Sequence, residues 1–302
     1  MKNTLSFFLF LPIVLLLTAL SAEENLSVSY ILVDFEQGSV IDRKDNAGFL
    51  EQPFPPGSLI KLFSTYAYLR DGGDSYKVLL CPETSIGSSI PPGCWYRPGH
   101  GYMDLIGAIA NSCDTYFSKF FTLKRFTLLV NVLNQYQLIT GSDFETLLAL
   151  SSAQKRETWI GIGKHLRIRP VDLFFAIYSI VGNGSIYERS DSYLIFERKM
   201  KTGSNFVRVI REGMREGSLT GTTKTVQEII GMKKVFCKTG TATYFFIEED
   251  YRKTHGYFIG FCPYPEPQWG ILVFLLNGDG KAAAKIGATI LKDLLKQEEN
   301  GY

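Results

Sequence analysis

The sequence predicts an α+β fold in which the two ends of the chain form one antiparallel sheet, flanked by helices, with a helical middle subdomain. Three observations predict it. Runs rich in β-branched and aromatic residues sit near both ends, at Tyr30–Phe35 and then at Gly256–Phe261 and Trp269–Leu276. Helical periodicity dominates the long stretch between them. Strands and helices do not alternate as they do in parallel βαβ units.

The elements follow in order. Lys2 gives a short positive region, and Leu5–Leu20 is almost wholly apolar. That run has the length of a signal-peptide core and is short for a spanning helix. Small residues at Thr18–Ala22 offer a cleavage site, so residues 1–22 are expected to be a signal peptide, with an uncleaved anchor as the alternative. Residues 23–302 are then one exported domain, in the periplasm or on the extracytoplasmic face of the plasma membrane.

Tyr30–Phe35 reads as a strand, Gln37-Gly38 as a turn, and Ser39 onward as the return of a hairpin. Pro53–Gly57 leads into a helix near Ser58, along which Leu59, Leu62, Phe63, Tyr66 and Leu69 recur with helical spacing until Asp71-Gly-Gly73 stops it. Residues 81–101, rich in Pro and Gly, read as a loop. Met103–Ala110, Tyr116–Leu138, Pro170–Val181 and Phe206–Met214 read as helices, and the charged Glu197–Met200 looks helical too. Lys233–Lys238 begins a block of strands, and Ala282–Lys296 is an amphipathic closing helix.

Composition bounds the function. The 302 residues are 45% hydrophobic, enough for a substantial core, and the net charge of +2 comes from scattered Lys and Arg. With no basic tract, nucleic acid is not expected as a partner. Of the cysteines Cys81, Cys94, Cys113, Cys237 and Cys262, the first two flank a Pro/Gly/Ser-rich loop and are the expected disulfide pair; the rest read as small buried side chains. None has the C-x-x-C spacing of a zinc site, so neither a metal nor a cofactor is expected.

Ser58 and Lys61 carry the chemistry. Three residues apart on a helix, they share a face. A hydroxyl is a weak nucleophile until a base stands beside it, and a lysine shielded from water can be neutral enough to serve. The pattern is common: Ser152 and Lys155 match it as well. Context separates the two. Asn111-Ser112-Cys113-Asp114 follows a helix, and Lys238-Thr239-Gly240-Thr241 leaves a strand. A second Lys-Thr-Gly, at 201–203, follows the charged stretch. The copy at 238 is preferred, because an edge strand can pair with an extended peptide.

S-x-x-K, S-x-D and K-T-G in this order resemble the penicillin-binding protein transpeptidases and serine β-lactamases. Gly161-Ile-Gly163, Arg169-Pro170 and Gly182-Asn-Gly184 extend the likeness, which runs from about Tyr30 to the C-terminus. The chain departs from the pattern at Asp114, where Asn is commonest, and at Arg169, where Thr is usual. The first strand follows the apolar leader so soon that a free-standing catalytic domain is expected.

The resemblance implies a serine acyltransferase acting on the D-Ala-D-Ala end of a peptidoglycan stem peptide, as a D,D-transpeptidase or D,D-carboxypeptidase. Ser58 would be the nucleophile and Lys61 its base. Ser112 would relay a proton to the leaving group, Lys238 would hold Ser112 by its positive charge, and Asp114 would position Lys61 or the substrate. Thr239, Gly240 and Thr241 would bind substrate, with the Ser58 and Thr241 amides as an oxyanion hole. β-Lactam antibiotics would acylate Ser58, and cell-wall synthesis proteins are possible partners. A β-lactamase and a β-lactam-binding or peptidoglycan-binding sensor are the alternatives. The first would need a deacylating base, for which Glu157 is the one candidate near in sequence.

Overall fold

A computed structural model describes residues 27–83, 93–182, 184–189, 194–199, 203–231, 234–243 and 253–300. The expected signal peptide, and Lys201 and Thr202 of the second Lys-Thr-Gly, lie outside these residues. Among the described residues no helix is long and apolar enough to cross a membrane.

The strands β1 (Ser27–Asp34), β2 (Ser39–Lys44), β7 (Phe236–Thr243), β8 (Thr254–Cys262) and β9 (Trp269–Leu276) form one antiparallel sheet in the order β2-β1-β9-β8-β7. The first and last strands of the sequence are neighbours at its centre, with Ser27 opposite Leu276 and Asp34 opposite Trp269. The α+β expectation holds, including the sharing of one sheet by both ends of the chain.

Successive strand residues point to opposite faces, so each apolar run feeds two cores. Ile31, Val33, Tyr257, Ile259, Phe261, Leu272 and Phe274 belong to the larger core, under the helical middle of the chain. Leu32, Phe258, Cys262, Ile271, Val273 and Leu275 belong to the second, under the closing helix. A sheet covered on both faces accounts for strands that read as continuous apolar runs rather than alternating ones.

The helices are α1 (Ile60–Arg70), α2 (Leu105–Ala110), α3 (Asp114–Lys119), α4 (Leu123–Gln135), α5 (Gly141–Ala149), α6 (Ser152–Ile160), α7 (Pro170–Val181), α8 (Ser204–Leu219), α9 (Lys224–Ile230) and α10 (Gly280–Asn300). α1 and α7 are buried along nearly their whole length. Pro170 opens α7 at the one helical position where a missing N–H costs nothing.

Three expectations are corrected. The helix read over Tyr116–Leu138 is two, because the Thr122 side chain accepts from the Arg125 N–H and starts α4 anew. Met103 ends a short strand, β4 (Gly101–Met103), which pairs with β3 (Leu79–Cys81); Asp104 then caps α2. The charged stretch before residue 200 is not helical. It belongs to β6 (Leu194–Lys199), paired with β5 (Ser185–Arg189) in a hairpin whose pairing outweighs the helix propensity of Glu and Lys.

Candidate active site

The segment leading to Ser58 is pinned from two sides. Phe54 exchanges two backbone hydrogen bonds with Ile168, at 3.1 and 2.9 Å. The Pro55 carbonyl accepts from His255 Nε2 of β8 at 2.8 Å, and burial lowers the His255 pKa to about 4, which keeps the ring neutral. Gly57 then turns with φ +57°, and a Cβ there would lie 2.9 Å from the Thr241 carbonyl oxygen. Only glycine combines that dihedral with so close a backbone approach.

Ser58 lies in a 3-10 turn (Gly57–Leu59) that runs into α1, and its hydroxyl caps no helix. Instead it meets Lys61 Nζ at 2.9 Å. Lys61 is fully buried, and its Nζ also contacts the Ile160 carbonyl at 2.6 Å and Asp114 Oδ1 at 2.8 Å. Asp114 comes from the start of α3, so α1, α6 and α3 converge on one amine.

A second lysine closes the other side. Lys238 Nζ, on β7, donates to Ser112 Oγ at 3.0 Å and to the Thr239 carbonyl at 3.0 Å. Burial, with repulsion from Lys61 added to it, lowers its pKa from 10.5 to about 7. Ser112 holds φ +52°, a conformation that costs a non-glycine residue of order 1–3 kcal/mol.

In front of the two lysines opens a cleft of about 500 Å³. Ser58, Ser112, Asp114, Thr239 and Thr241 line it. The sequence-expected residues therefore meet in one place, with Lys61 and Lys238 buried behind it. Gly240 is not in the lining. It lets β7 pass the segment that carries Ser58, where a Cβ would stand 3.1 Å from the Pro56 carbonyl. Among the described residues β7 pairs only with β8, and Thr239 and Thr241 of that edge strand line the cleft. Ser152, by contrast, opens α6 with an exposed side chain and is not in the lining of the cleft. The exposed Glu157 is not in the lining either.

No local sequence pattern points to Trp95, which also lines the cleft. Its backbone N–H donates to Asp114 Oδ2 at 3.2 Å, and its indole N–H to the carbonyls of Asn111 and Ser112 at 3.1 and 3.2 Å. Cys81 and Cys94, expected as a disulfide, are both thiols.

Comparison with known proteins agrees with the geometry. The chain is 24% identical over 295 residues to the peptidoglycan D,D-transpeptidase MrdA of Salmonella typhimurium, a match that covers 80% of this chain and 46% of that protein. The chain thus spans about half the length of this curated relative. Its fold resembles the D,D-transpeptidase domain of a peptidoglycan glycosyltransferase from Eggerthella lenta, with TM-score 0.71, 17% identity and coverage of 93% and 81% of the two chains. It also resembles penicillin-binding protein A of M. tuberculosis in its ceftriaxone acyl-enzyme complex, with TM-score 0.69, 18% identity and coverage of 87% and 73%. The model of the penicillin-binding protein transpeptidase domain matches residues 23–296. With nine-tenths of its length so matched, and with the residues of S-x-x-K, S-x-D and K-T-G gathered on one cleft, the chain belongs to the penicillin-binding protein transpeptidase family.

Proposed function

We propose that this chain acts outside the cytoplasm as a serine D,D-acyltransferase on D-Ala-D-Ala stem peptides, passing through an acyl-enzyme on Ser58. The observation that carries this reading is the set of three contacts at Lys61 Nζ. A neutral amine has two N–H donors and one lone pair. The Ile160 carbonyl and the Asp114 carboxylate can only accept, so they take both donors. In its charged, ion-paired form Nζ donates to Ser58 Oγ at 2.9 Å; once it has given up that third proton, its lone pair faces the same hydroxyl.

In this reading Lys61 takes the Ser58 proton as Oγ attacks the carbonyl of the penultimate D-Ala. Backbone N–H groups of Ser58 and Thr241, on segments that approach closely at Gly57, receive the oxyanion. When the peptide bond breaks, the departing D-Ala nitrogen gains a proton from Ser112. Lys238 replaces that proton, and a pKa near 7 suits it to give one up at neutral pH. The free edge of β7 offers an extended peptide a ladder, with Thr239 and Thr241 at its terminal carboxylate. The acyl acceptor is an amine in a transpeptidase and water in a carboxypeptidase.

The lining favours slow loss of the acyl group. Among the described residues its carboxylates are Asp114, engaged by Lys61, and Asp279, which accepts from the Ala282 N–H at the start of α10. Asp114 is already held by Lys61 and Glu157 lies outside the lining, which counts against a β-lactamase that deacylates through either.

Incubation with a fluorescent penicillin, followed over time, tests the proposal. Stable label on the wild type and none on Ser58→Ala is the expected result. Rapid turnover would convert the reading to a β-lactamase, and absence of label would end it.

A further inference from the structure

We propose that Lys281, at the start of α10, is a specificity residue that holds the free terminal carboxylate of the substrate beside the hydroxyl of Thr241. The identity of that substrate rests on the function proposed above. The preference for a ligand with one acidic group rests on the cleft itself.

The two buried lysines are already engaged. Lys61 Nζ meets Asp114, Ser58 and the Ile160 carbonyl, and Lys238 Nζ meets Ser112 and the Thr239 carbonyl. Among the described residues Lys281 is the one basic side chain in the lining. It is exposed, and among those residues its ammonium makes no hydrogen bond and no ion pair. The turn that carries it is fixed against β7. The Gly280 N–H donates to Thr241 Oγ at 2.9 Å, and Asp279 Oδ1 accepts from the Ala282 N–H at 2.8 Å. A Cβ at Gly280 would lie 2.8 Å from Thr239 Cβ and 2.9 Å from the Gly240 carbonyl oxygen, so a side chain there would force α10 off the strand.

These bonds set polarity as well as position. A hydroxyl that accepts from Gly280 still has its own proton to give, and an ammonium can only donate. Two donors on adjoining elements, one of them charged, suit an anionic acceptor with several lone pairs, which is a carboxylate. Asp279 lines the same cleft, and its charge works against a ligand with a second acidic group next to the first. The placement also matches the leaving group. Lys238 ties β7 to Ser112, whose hydroxyl protonates the departing D-Ala nitrogen in the proposed reaction. A single carbon separates that nitrogen from the terminal carboxylate, so the carboxylate falls along the stretch of β7 against which α10 begins.

The test separates binding from chemistry. The full chain carrying Ser58→Ala is titrated with an acetylated Lys-D-Ala-D-Ala tripeptide as the free acid and as the terminal amide. At low ionic strength the acid is expected to bind about tenfold more tightly than the amide, with the gap narrowing as salt screens it. Adding Lys281→Ala should close the gap by weakening the acid alone, Lys281→Glu should reverse it, and Lys281→Arg should keep it. Lys281 is exposed, so all three variants should melt with the parent protein. With Ser58 intact, Lys281→Ala should slow labelling by dilute penicillin, itself a carboxylate, and leave the saturating rate unchanged. An acid that does not bind, equal binding of acid and amide, or a gap that survives Lys281→Ala would overturn the assignment. A protein that binds the acid through Lys281 and never labels would refute the proposed acyltransferase and leave the carboxylate site standing. Labelling of Lys281→Glu at the wild-type rate would do the reverse.

Discussion

Lys61 and Asp114 form an ion pair of 2.8 Å with both side chains almost wholly out of water. Fifty-odd residues separate them in sequence, and neither charge has solvent to fall back on. Breaking a buried pair by removing one partner strands the other and costs about 3–5 kcal/mol. Asp114→Ala should therefore lower stability by about that much in chemical denaturation. Replacing both, as Lys61→Met with Asp114→Leu, should recover most of the loss and still take no label from penicillin. A double variant as unstable as the single one would show that the pair does not act as a unit.

Lys238 predicts a pH dependence with a definite sign. Its pKa falls from 10.5 in the unfolded chain to about 7 in the fold. Between those values the unfolded chain holds a proton that the native state has lost, so stability rises with pH. The penalty is full below about 7 and fades toward 10.5. The stability difference between wild type and Lys238→Met should grow in favour of the wild type across that window. The rate of penicillin labelling should show a limb near pH 7 that is missing in Lys238→Arg, whose guanidinium stays charged.

Gly57 predicts a steric effect on chemistry. A methyl group there would meet the Thr241 carbonyl at 2.9 Å in a backbone conformation that disfavours it. Gly57→Ala should drive the nucleophile segment away from β7 and misplace one oxyanion donor. Labelling should slow by roughly 10²–10³-fold, the effect of losing such a donor. Near-wild-type labelling would remove the Thr241 amide from the proposed mechanism.

Ser112 separates strain from function. Its φ of +52° favours glycine, so Ser112→Gly should be more stable than Ser112→Ala by about 1 kcal/mol. Both lack the hydroxyl that Lys238 holds, so both should label slowly. Rapid labelling by either variant would show that Ser112 carries no proton.

What was legible in the sequence follows from how local each signal is. β8 and β9 were plain, because both faces of the sheet are buried and the strands are apolar throughout. α7 was plain because Pro170 and Gly182 mark its two ends. Residues 233–238 were read as a strand, but β7 continues through the Lys-Thr-Gly to Thr243, where the tie is pairing with β8 rather than side-chain pattern. α5 and α6 carry capping boxes at Thr140 and Ser151 but have few buried positions, so little periodicity marked them. Within the site, Ser58, Ser112 and Lys238 were found through short motifs. Trp95, His255 and the meeting of Cys81, Cys94, Cys113 and His100 depend on long-range packing that no local spacing encodes.

The central place of β1 beside β9 also sets the order in which the molecule can be made. β1 finds its inner neighbour only after residues 269–276 have been synthesised, and the Ser58 segment rests on a strand that begins at Phe236. Contacts between such distant parts of a chain form slowly, because a large loop must close before they repay it. Until then the helical middle of the chain can pack while the Gly57–Ser58 segment lacks its neighbour on β7. The surroundings of Ser58 are thereby among the last features to mature, and a chain truncated before β9 should carry the motif residues without penicillin reactivity.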